Sequence, residues 1–349
     1  MKKNVVVIGY GGMGGNFHAA RALKSDVLNL LGVYDIDEKR CAEAQEKGIF
    51  VYDSLDAVLA DERVEIVIVA VPNDDHLGIV VRALEAGKHV VCEKPVALSL
   101  DELDQMIAAS KKSGKLFTVH QNRRFDEDFR LIKKIVDEGV IGAPLRIESR
   151  VHGSRGIPGD WRGMKKHGGG MMLDWGVHLI DQALQIIKEP ISKIHCTMTN
   201  YTNKEVDDGF YLTITFASGV EYYVEVGTYN FISLPRFYMK AENGSAMIRD
   251  WLGSAEISKC KYWYEGEVKP VQTAAGLTKT MAPRDIVSTE NFEIEPEKFD
   301  VHDYFRNFCR AIDGEEEMLV KHDEARLVMR VMELAFLSAE QGTTVDFSF

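Results

Sequence analysis

The chain contains no Cys-x-x-Cys pair. Its five cysteines, Cys41, Cys92, Cys196, Cys260 and Cys309, are scattered and odd in number, which argues against a disulfide framework and against a zinc site. Long apolar runs are also missing. The run Val5 to Ile8 behind Met1-Lys2-Lys3 stops at Gly9, too short for a signal-peptide core or a membrane span. Positive charge is in deficit, with 42 Lys and Arg against 54 Asp and Glu and a net charge of -12. Such a chain repels phosphate backbones, so nucleic acid is not an expected partner. The absences leave a cytoplasmic protein, without membrane contact, that handles small solutes. At 349 residues it is long enough for two domains with separate cores.

Val5-Val6-Val7-Ile8 reads as a strand buried on both faces of a parallel sheet. Gly9-Tyr10-Gly11-Gly12-Met13-Gly14 follows and fits G-x-G-x-x-G, where glycines permit a tight turn and let backbone amides approach a pyrophosphate. A second apolar run, Leu30 to Tyr34, ends in Asp35, 21 residues after Gly14. That is near the spacing of about 20 for a ribose-binding carboxylate. Asp35 accepts the 2′-hydroxyl of NAD and repels the 2′-phosphate of NADP; Asp37 adds to the repulsion. Arg40, the nearby cation, reads as a solvated residue at a helix start.

The alternation continues with a helix from Asp37 to Lys47, a short strand near Phe50, a helix around Leu55 and a buried strand from Val64 to Val71. Pro72-Asn73 breaks that strand and His76 starts another helix, placing polar groups at a strand's carboxyl end, where open α/β sheets bind ligands. Strand His89 to Cys92 runs into Glu93-Lys94-Pro95, so Lys94 has the same placement. Leu116 to Val119 is a sixth strand. The expected first domain is a doubly wound parallel sheet over residues 1–122.

From residue 123 to 349 the pattern changes to α+β. Leu145–His152, Lys193–Tyr201, Phe210–Phe216, Glu221–Tyr229 and Phe237–Lys240 read as strands of a large, mainly antiparallel sheet, with a hairpin break at Ser218-Gly219. Leu212, Ile214 and Phe216 alternate with Tyr211, Thr213 and Thr215, so one face covers a helix and the other is semi-polar. The segment Gly266 to Glu297 has weak periodicity and reads as loops. Helices are expected at His302–Asp313 and Asp323–Gln341, the latter broad enough in its apolar face to pack between domains.

Gly168-Gly169-Gly170 leads into a helix with two stripes. Leu173, Val177, Ile180, Leu184 and Ile187 have core spacing, while Asp174, His178 and Asp181 form a polar stripe one residue round. A surface helix capped by Asp174 would show the same pattern; three glycines point instead to close approach of a ligand to the main chain. The preceding loop, Arg155 to His167, holds five cationic or potentially cationic residues. Lys165 and Lys166 are cheap to solvate, whereas Trp161 offers a face to a sugar ring and Arg162 a fork to its oxygens.

Across nearly its whole length the chain resembles the Gfo/Idh/MocA oxidoreductases. The likeness rests on Gly9 to Gly14, Glu93-Lys94-Pro95, His120-Gln121-Asn122-Arg123-Arg124-Phe125, Trp161-Arg162, and Gly168-Gly169-Gly170 through Asp174 to His178. The resemblance implies that Lys94, Asp174 and His178 line the substrate site beside a nicotinamide ring. It implies an NAD seat made by Gly9, Gly11, Gly12, Met13, Gly14, Asp35, Pro72, Asn73, His76, Glu93, Lys94 and Gln121. Substrate would meet Lys94, Arg123, Trp161, Arg162, Asp174 and His178. The semi-polar sheet face often pairs subunits in such proteins, so a homo-oligomer, dimer or tetramer, is expected.

The reading is an NAD-dependent dehydrogenase or reductase acting on a secondary alcohol of a sugar, polyol or related cyclic substrate. A histidine with a pKa near neutrality makes His178 the candidate base, Asp174 would orient substrate or the imidazolium, and Lys94 would stabilise alkoxide charge or, if burial depressed its charge, act as the base itself. Two alternatives stay open: an NAD-dependent glycoside hydrolase using transient oxidation, and a non-catalytic sugar sensor on the same scaffold. No metal is expected, since His120, Asp174 and His178 have no familiar ligand spacing.

Overall fold

The computed structural model describes residues 1–262, 268–284 and 286–349. Strands β1 (Lys3–Ile8), β2 (Leu28–Tyr34), β3 (Ile66–Val69), β4 (His89–Cys92) and β5 (Phe117–Val119) form a parallel sheet in the order β2-β1-β3-β4-β5. Val5 to Val7 and Ile66 to Val69 have no exposed surface, as continuous apolar runs between two helix layers require. The strand expected near Phe50 is only one parallel bridge, Val33 to Val51. The segment is tied to β2 through Val33 alone, whose N–H donates to Phe50 O and whose O accepts Tyr52 N–H, both at 2.9 Å, before Ser54 caps the next helix. Counting that bridge outside β2, the order is the doubly wound one, with its switch point between β1 and β3.

The crossover helices are α1 (Ala20–Ala22), α2 (Glu38–Glu46), α3 (Leu55–Ala60), α4 (His76–Glu85) and α5 (Leu100–Ser113). Asp37, Ser54 and Ser99 each accept a backbone N–H at the start of α2, α3 and α5, which satisfies donors the first turn cannot use. Helix α6 (Glu127–Asp137) then leads into β6 (Pro144–His152), and α7 (Val177–Ile186) carries the polar stripe.

The second sheet has nine strands. It contains β6, β7 (Ile191–Thr199), β8 (Gly209–Phe216), β9 (Glu221–Gly227), β10 (Phe237–Ala241), β11 (Gly244–Ile248) and β12 (Ala255–Cys260), and a separate hairpin of β13 (Val271–Thr273) and β14 (Gly276–Thr278) follows β12. With β15 (Thr289–Ile294) and β16 (Val345–Asp346) the order is β15-β12-β11-β10-β6-β9-β8-β7-β16. Among the described residues only the β6–β9 pair of this sheet is parallel. Leu212, Ile214 and Phe216 are buried and Tyr211 is exposed, matching the expected alternation. The segment read as loops contains β13, β14 and β15, a correction whose cause is visible in β15. Its six residues Thr-Glu-Asn-Phe-Glu-Ile carry three exposed positions, so pairing with β12 and not apolar periodicity defines the strand. Gly266, Glu267 and Asp285 of that segment lie outside the described residues.

Helix α8 (Asp303–Ile312) returns to the first sheet: the Tyr304 hydroxyl donates to Val119 O at 2.8 Å, and Arg306 pairs with Asp26 at 2.9 Å. Part of the stretch expected in the second domain therefore packs on the first. Helix α9 (His322–Gln341) lies between the two sheets, joined to α5 through Arg326–Asp104 and Glu333–Leu100 N, and to β7 through Ser338–Cys196 N.

Leu184 on α7 is 8% exposed. Leu184→Ala is expected to destabilise the protein by about 2–5 kcal/mol, read from urea unfolding, with the chemistry of the helix's other face intact. A loss below about 0.5 kcal/mol would place Leu184 on a yielding surface.

Candidate active site

The nucleotide seat is built at the switch point. Gly9 has φ 90°, and a Cβ there would lie 2.4 Å from Ala70 O; one on Gly14 would lie 1.7 Å from Gly9 O. Both positions therefore demand glycine. A Cβ on Gly12 would meet nothing within 4 Å, which leaves that backbone open at the helical entry, a π-type turn over Gly12–Ala19. Met13 beside it is half-buried. Asp35 ends β2 with Oδ2 accepting Tyr10 N at 2.6 Å and Oδ1 accepting Asp37 N at 2.8 Å. Arg40 is not simply solvated: its Nη1 lies 3.5 Å from Asp35 Oδ2 and it packs under Gly11. These features fit a dinucleotide.

Across the switch point, Pro72 is half-buried and Asn73 Nδ2 donates to Gly168 O at 2.9 Å. His76 does not belong in the seat. It is wholly buried, with Nδ1 3.1 Å from Pro95 O and Nε2 3.1 Å from Val71 O, so it braces the turn that carries Lys94 from beneath. Gln121 is buried, and its Oε1 has no partner among the described residues.

The three glycines make room for protein, which corrects the expectation of a ligand there. A Cβ on Gly168 would come within 2.3 Å of Leu98 Cδ2, one on Gly169 within 2.3 Å of Arg162 O, and one on Gly170 within 2.2 Å of Asp207 Oδ1. They let the loop fold tightly onto both domains. Asp207 Oδ2 accepts Met172 N at 2.7 Å at the start of a π-type turn, Met172–Gly176, that precedes α7. The wide turn shifts the phase of the stripes, so Leu173 is only half-buried while Met171 and Met172 are core. Wide turns of this kind concentrate at functional sites.

Burial pushes the Asp207 carboxyl up to about 6 against the pull of the Met172 amide, with Asp208 adding to the rise. A folded-state value above the ordinary 3.8 means that the folded protein binds this proton more readily, so the charged form at neutral pH opposes folding and stability rises as pH falls from about 6 toward 4. Asp207→Asn keeps an acceptor for Met172 N–H and removes the charge. The variant is expected to gain on the parent at pH 7 by up to roughly 3 kcal/mol, the difference shrinking toward pH 4. Urea unfolding across that range checks this, and a difference that is constant with pH contradicts it.

The polar stripe divides. Lys94 Nζ donates to Asp174 Oδ1 at 2.8 Å and Asp174 O at 2.9 Å, and Arg162 Nε lies 3.5 Å from Asp174 Oδ2. Burial alone would raise the Asp174 pKa, but the charges of Lys94, Arg162 and Arg123 hold it below the ordinary carboxylate value. His178, one turn on, is 3% exposed. Burial first, then the Lys94 and Arg123 charges, hold its pKa well below 6.5, against an opposing pull from Glu93. The near-neutral pKa expected from sequence is therefore corrected: the imidazole is uncharged through the neutral range. Asp181, third on the stripe, is elsewhere, in a buried bidentate pair with Arg124 at 2.6 and 2.8 Å. The Asp174 carboxylate is committed to Lys94 and Arg162.

Behind Lys94, Glu93 is buried between two histidines, with Oε1 2.6 Å from His18 Nε2 and 2.8 Å from His120 Nδ1. Burial would raise its pKa, yet His120 and His18 hold it well below the usual carboxylate range. Its second oxygen accepts Lys94 N at 3.2 Å. Glu93 thus fixes the Lys94 turn from inside and does not face a ligand. The three side chains are close enough to be considered as metal ligands, but both contacts converge on one oxygen at hydrogen-bond length, whereas donors around an ion bound at about 2.0–2.2 Å stand further apart. His120, Asp174 and His178 do not stand within metal-ligating distance of one another.

In the preceding loop, Trp161 and Arg162 are half-buried, with the guanidinium 4.6 Å from the indole centroid, while Lys165 and Lys166 are exposed. Arg123 pairs with Asp126 at 2.9 Å and lies 4.1 Å from the Trp175 ring. His18, Trp175 and Trp251 near this centre carried no sequence signal.

Residues 3–121 match the oxidoreductase family with an NAD-binding Rossmann fold, GFO_IDH_MocA, and residues 129–247 match the GFO/IDH/MocA C-terminal domain. The structure superposes on an NAD-binding protein from Listeria innocua with a TM-score of 0.95 at 43% identity, covering 99% of each chain. The NADP(+)-dependent scyllo-inositol 2-dehydrogenase IolW of Bacillus subtilis is 31% identical over a region covering 61% of this chain and 59% of that protein. The D-glucoside 3-dehydrogenase of Escherichia coli is 25% identical over 98% of this chain and 97% of that protein. With a dinucleotide seat at the switch point and both domains matched, the chain belongs to the Gfo/Idh/MocA family of NAD-binding oxidoreductases.

Proposed function

We propose that the protein oxidises a secondary alcohol of a sugar, polyol or related cyclic substrate with NAD, or runs the reverse reduction. The observation that carries this is the Lys94–Asp174 pair at 2.8 Å with the buried His178 imidazole one turn away. When bound, the nicotinamide supplies the hydride acceptor. The hydroxyl proton must leave as well, and His178, uncharged in this setting, is the group to take it. Lys94, its ammonium fixed by Asp174, stabilises charge developing on the substrate oxygen. Trp161 and Arg162 hold the oxidised ring and its hydroxyls, and Arg123 meets the substrate beside them. The inositol and glucoside dehydrogenases among its relatives support a substrate of this class. A panel of sugars, polyols and glycosides with NAD, read by reduced-nicotinamide absorbance, tests the reading. Stoichiometric reduced nicotinamide is expected; glycoside cleavage without it would make the protein a hydrolase, and tight sugar binding with neither would make it a sensor.

Asp35 supports NAD as the preferred nucleotide over NADP. Asp35→Ser is expected to narrow that preference, because Arg40 would then face a 2′-phosphate without the opposing carboxylate. Calorimetry on parent and variant checks this, and equal or tighter binding of NADP by the parent overturns it. No described helix is long and apolar enough to cross a membrane, which supports cytoplasmic work. The semi-polar sheet face, where Arg150 pairs with Glu225 and Tyr211 stays exposed, supports a homo-oligomer.

A further inference from the structure

Next to the base stands a wall drawn from three distant stretches. The Trp175 ring centroid lies 6.0 Å from that of His178 and 5.7 Å from that of Trp251, and Trp251 sits in the connection after β11. The Arg123 guanidinium bridges the two indoles, 4.1 Å from the first and 5.2 Å from the second. Its Nη1 donates to Asp126 Oδ2 at 2.9 Å. Behind Trp251 the buried Arg236 lies 4.6 Å from the ring, anchored by Asp128 at 2.9 Å and the Ser149 hydroxyl at 2.6 Å. The wall has a rigid back and an open front. Trp251 is 37% exposed, and the Arg123 side chain is 28% exposed.

If this were only packing, the wall would be electrically and spatially remote from the chemistry. It is neither. The charge of Arg123 acts on both Asp174 and His178, and two ring-to-ring steps, each about one sugar ring in width, connect the base to Trp251. The exposed part of the Trp251 indole offers apolar surface to a sugar ring, and the N–H groups of Arg123 left free by Asp126 can fork onto neighbouring hydroxyls.

We propose that Trp175, Arg123 and Trp251 form a second subsite, one sugar ring beyond the oxidised carbon, and that Trp251 is a specificity residue favouring a disaccharide-sized glycoside over a free hexose. The proposal rests on the dehydrogenase reading for its catalytic half. It needs no new bond chemistry, since the subsite only holds the ring that is not oxidised.

Trp251 lies in a loop and is partly exposed, so Trp251→Ala and Trp251→Phe are expected to fold. The kinetic readout is the ratio of kcat/KM for cellobiose or lactose to that for glucose or galactose, with NAD. In the parent the ratio exceeds one. In Trp251→Ala it falls about tenfold or more, carried by KM, and Trp251→Phe recovers part of it. The second readout does not depend on turnover: titrating the NAD-loaded protein with the same sugars, followed by calorimetry, should show disaccharide affinity lost in Trp251→Ala while NAD affinity is unchanged. A parent ratio at or below one, or a ratio and disaccharide affinity unmoved by Trp251→Ala, overturns the subsite. If the parent turns over neither sugar class but binds disaccharides through Trp251, the subsite stands and the dehydrogenase reading falls.

Discussion

Replacing His178 by alanine is expected to lower turnover by about 10²- to 10⁴-fold, the usual worth of a positioned general base, while the fold and nucleotide binding persist. The imidazole is buried, and its Nδ1 has no partner among the described residues, so its removal breaks no hydrogen bond there. The pH dependence has a definite sign. A base must be deprotonated to act, and burial, with Lys94 and Arg123 nearby, holds the His178 pKa well below 6.5. The parent's kcat/KM therefore stays level on descending through the ordinary histidine range, and the acid limb attributable to this group lies lower. An inflection near pH 6.5 that vanishes in His178→Ala would contradict the burial argument while preserving the role of the residue.

Lys94→Ala is expected to have a comparable effect, about 10²- to 10³-fold in kcat, because its charge is needed as the alkoxide develops. The same change removes the hydrogen bonds at 2.8 and 2.9 Å to Asp174. The Asp174 carboxyl, which Lys94 holds down against burial, should then titrate at higher pH, and activity should acquire a new dependence on the acid side. Lys94→Arg is not a rescue, since a planar fork cannot occupy the place of a compact ammonium. Steady-state kinetics across pH on both variants checks the prediction; a Lys94→Ala protein within tenfold of the parent would remove Lys94 from the chemistry.

How far the sequence reveals this protein depends on the range over which its signals act. The first sheet is legible because each buried parallel strand is a continuous apolar run, and Gly9, Gly14 and Asp35 sit in one βαβ unit with a spacing fixed by the cofactor. Lys94 and Asp174 could be paired only through the family resemblance, because 80 residues separate them. The same range hides Glu93, whose partner His18 lies 75 residues away, and Trp251, which meets Arg123 across a long stretch of chain. Local geometry misleads in a different way. An ideal helical period puts Leu173 on the core stripe, and the wide turn over Met172–Gly176 moves it out of the core. Asp181 has the right phase to join the site, but Arg124 claims it at 2.6 Å, a contact no periodicity encodes. Burial itself is the last hidden quantity: a histidine on a polar stripe looks solvated in sequence, and only tertiary packing shows that it is dry and uncharged.

The central claim is that hydride leaves a carbinol carbon while His178 takes the hydroxyl proton with Lys94 beside the oxygen. It is tested most directly by a single turnover of the best substrate, deuterated at its carbinol carbon, with one equivalent of NAD, in the parent and in His178→Ala. The account predicts that the parent transfers the label to the nicotinamide with a primary isotope effect, and that the folded variant, binding NAD normally, performs the same transfer at least about a hundredfold more slowly. Transfer at the parental rate in the folded His178→Ala protein, or label retained in a cleaved product without net reduced nicotinamide, would contradict it.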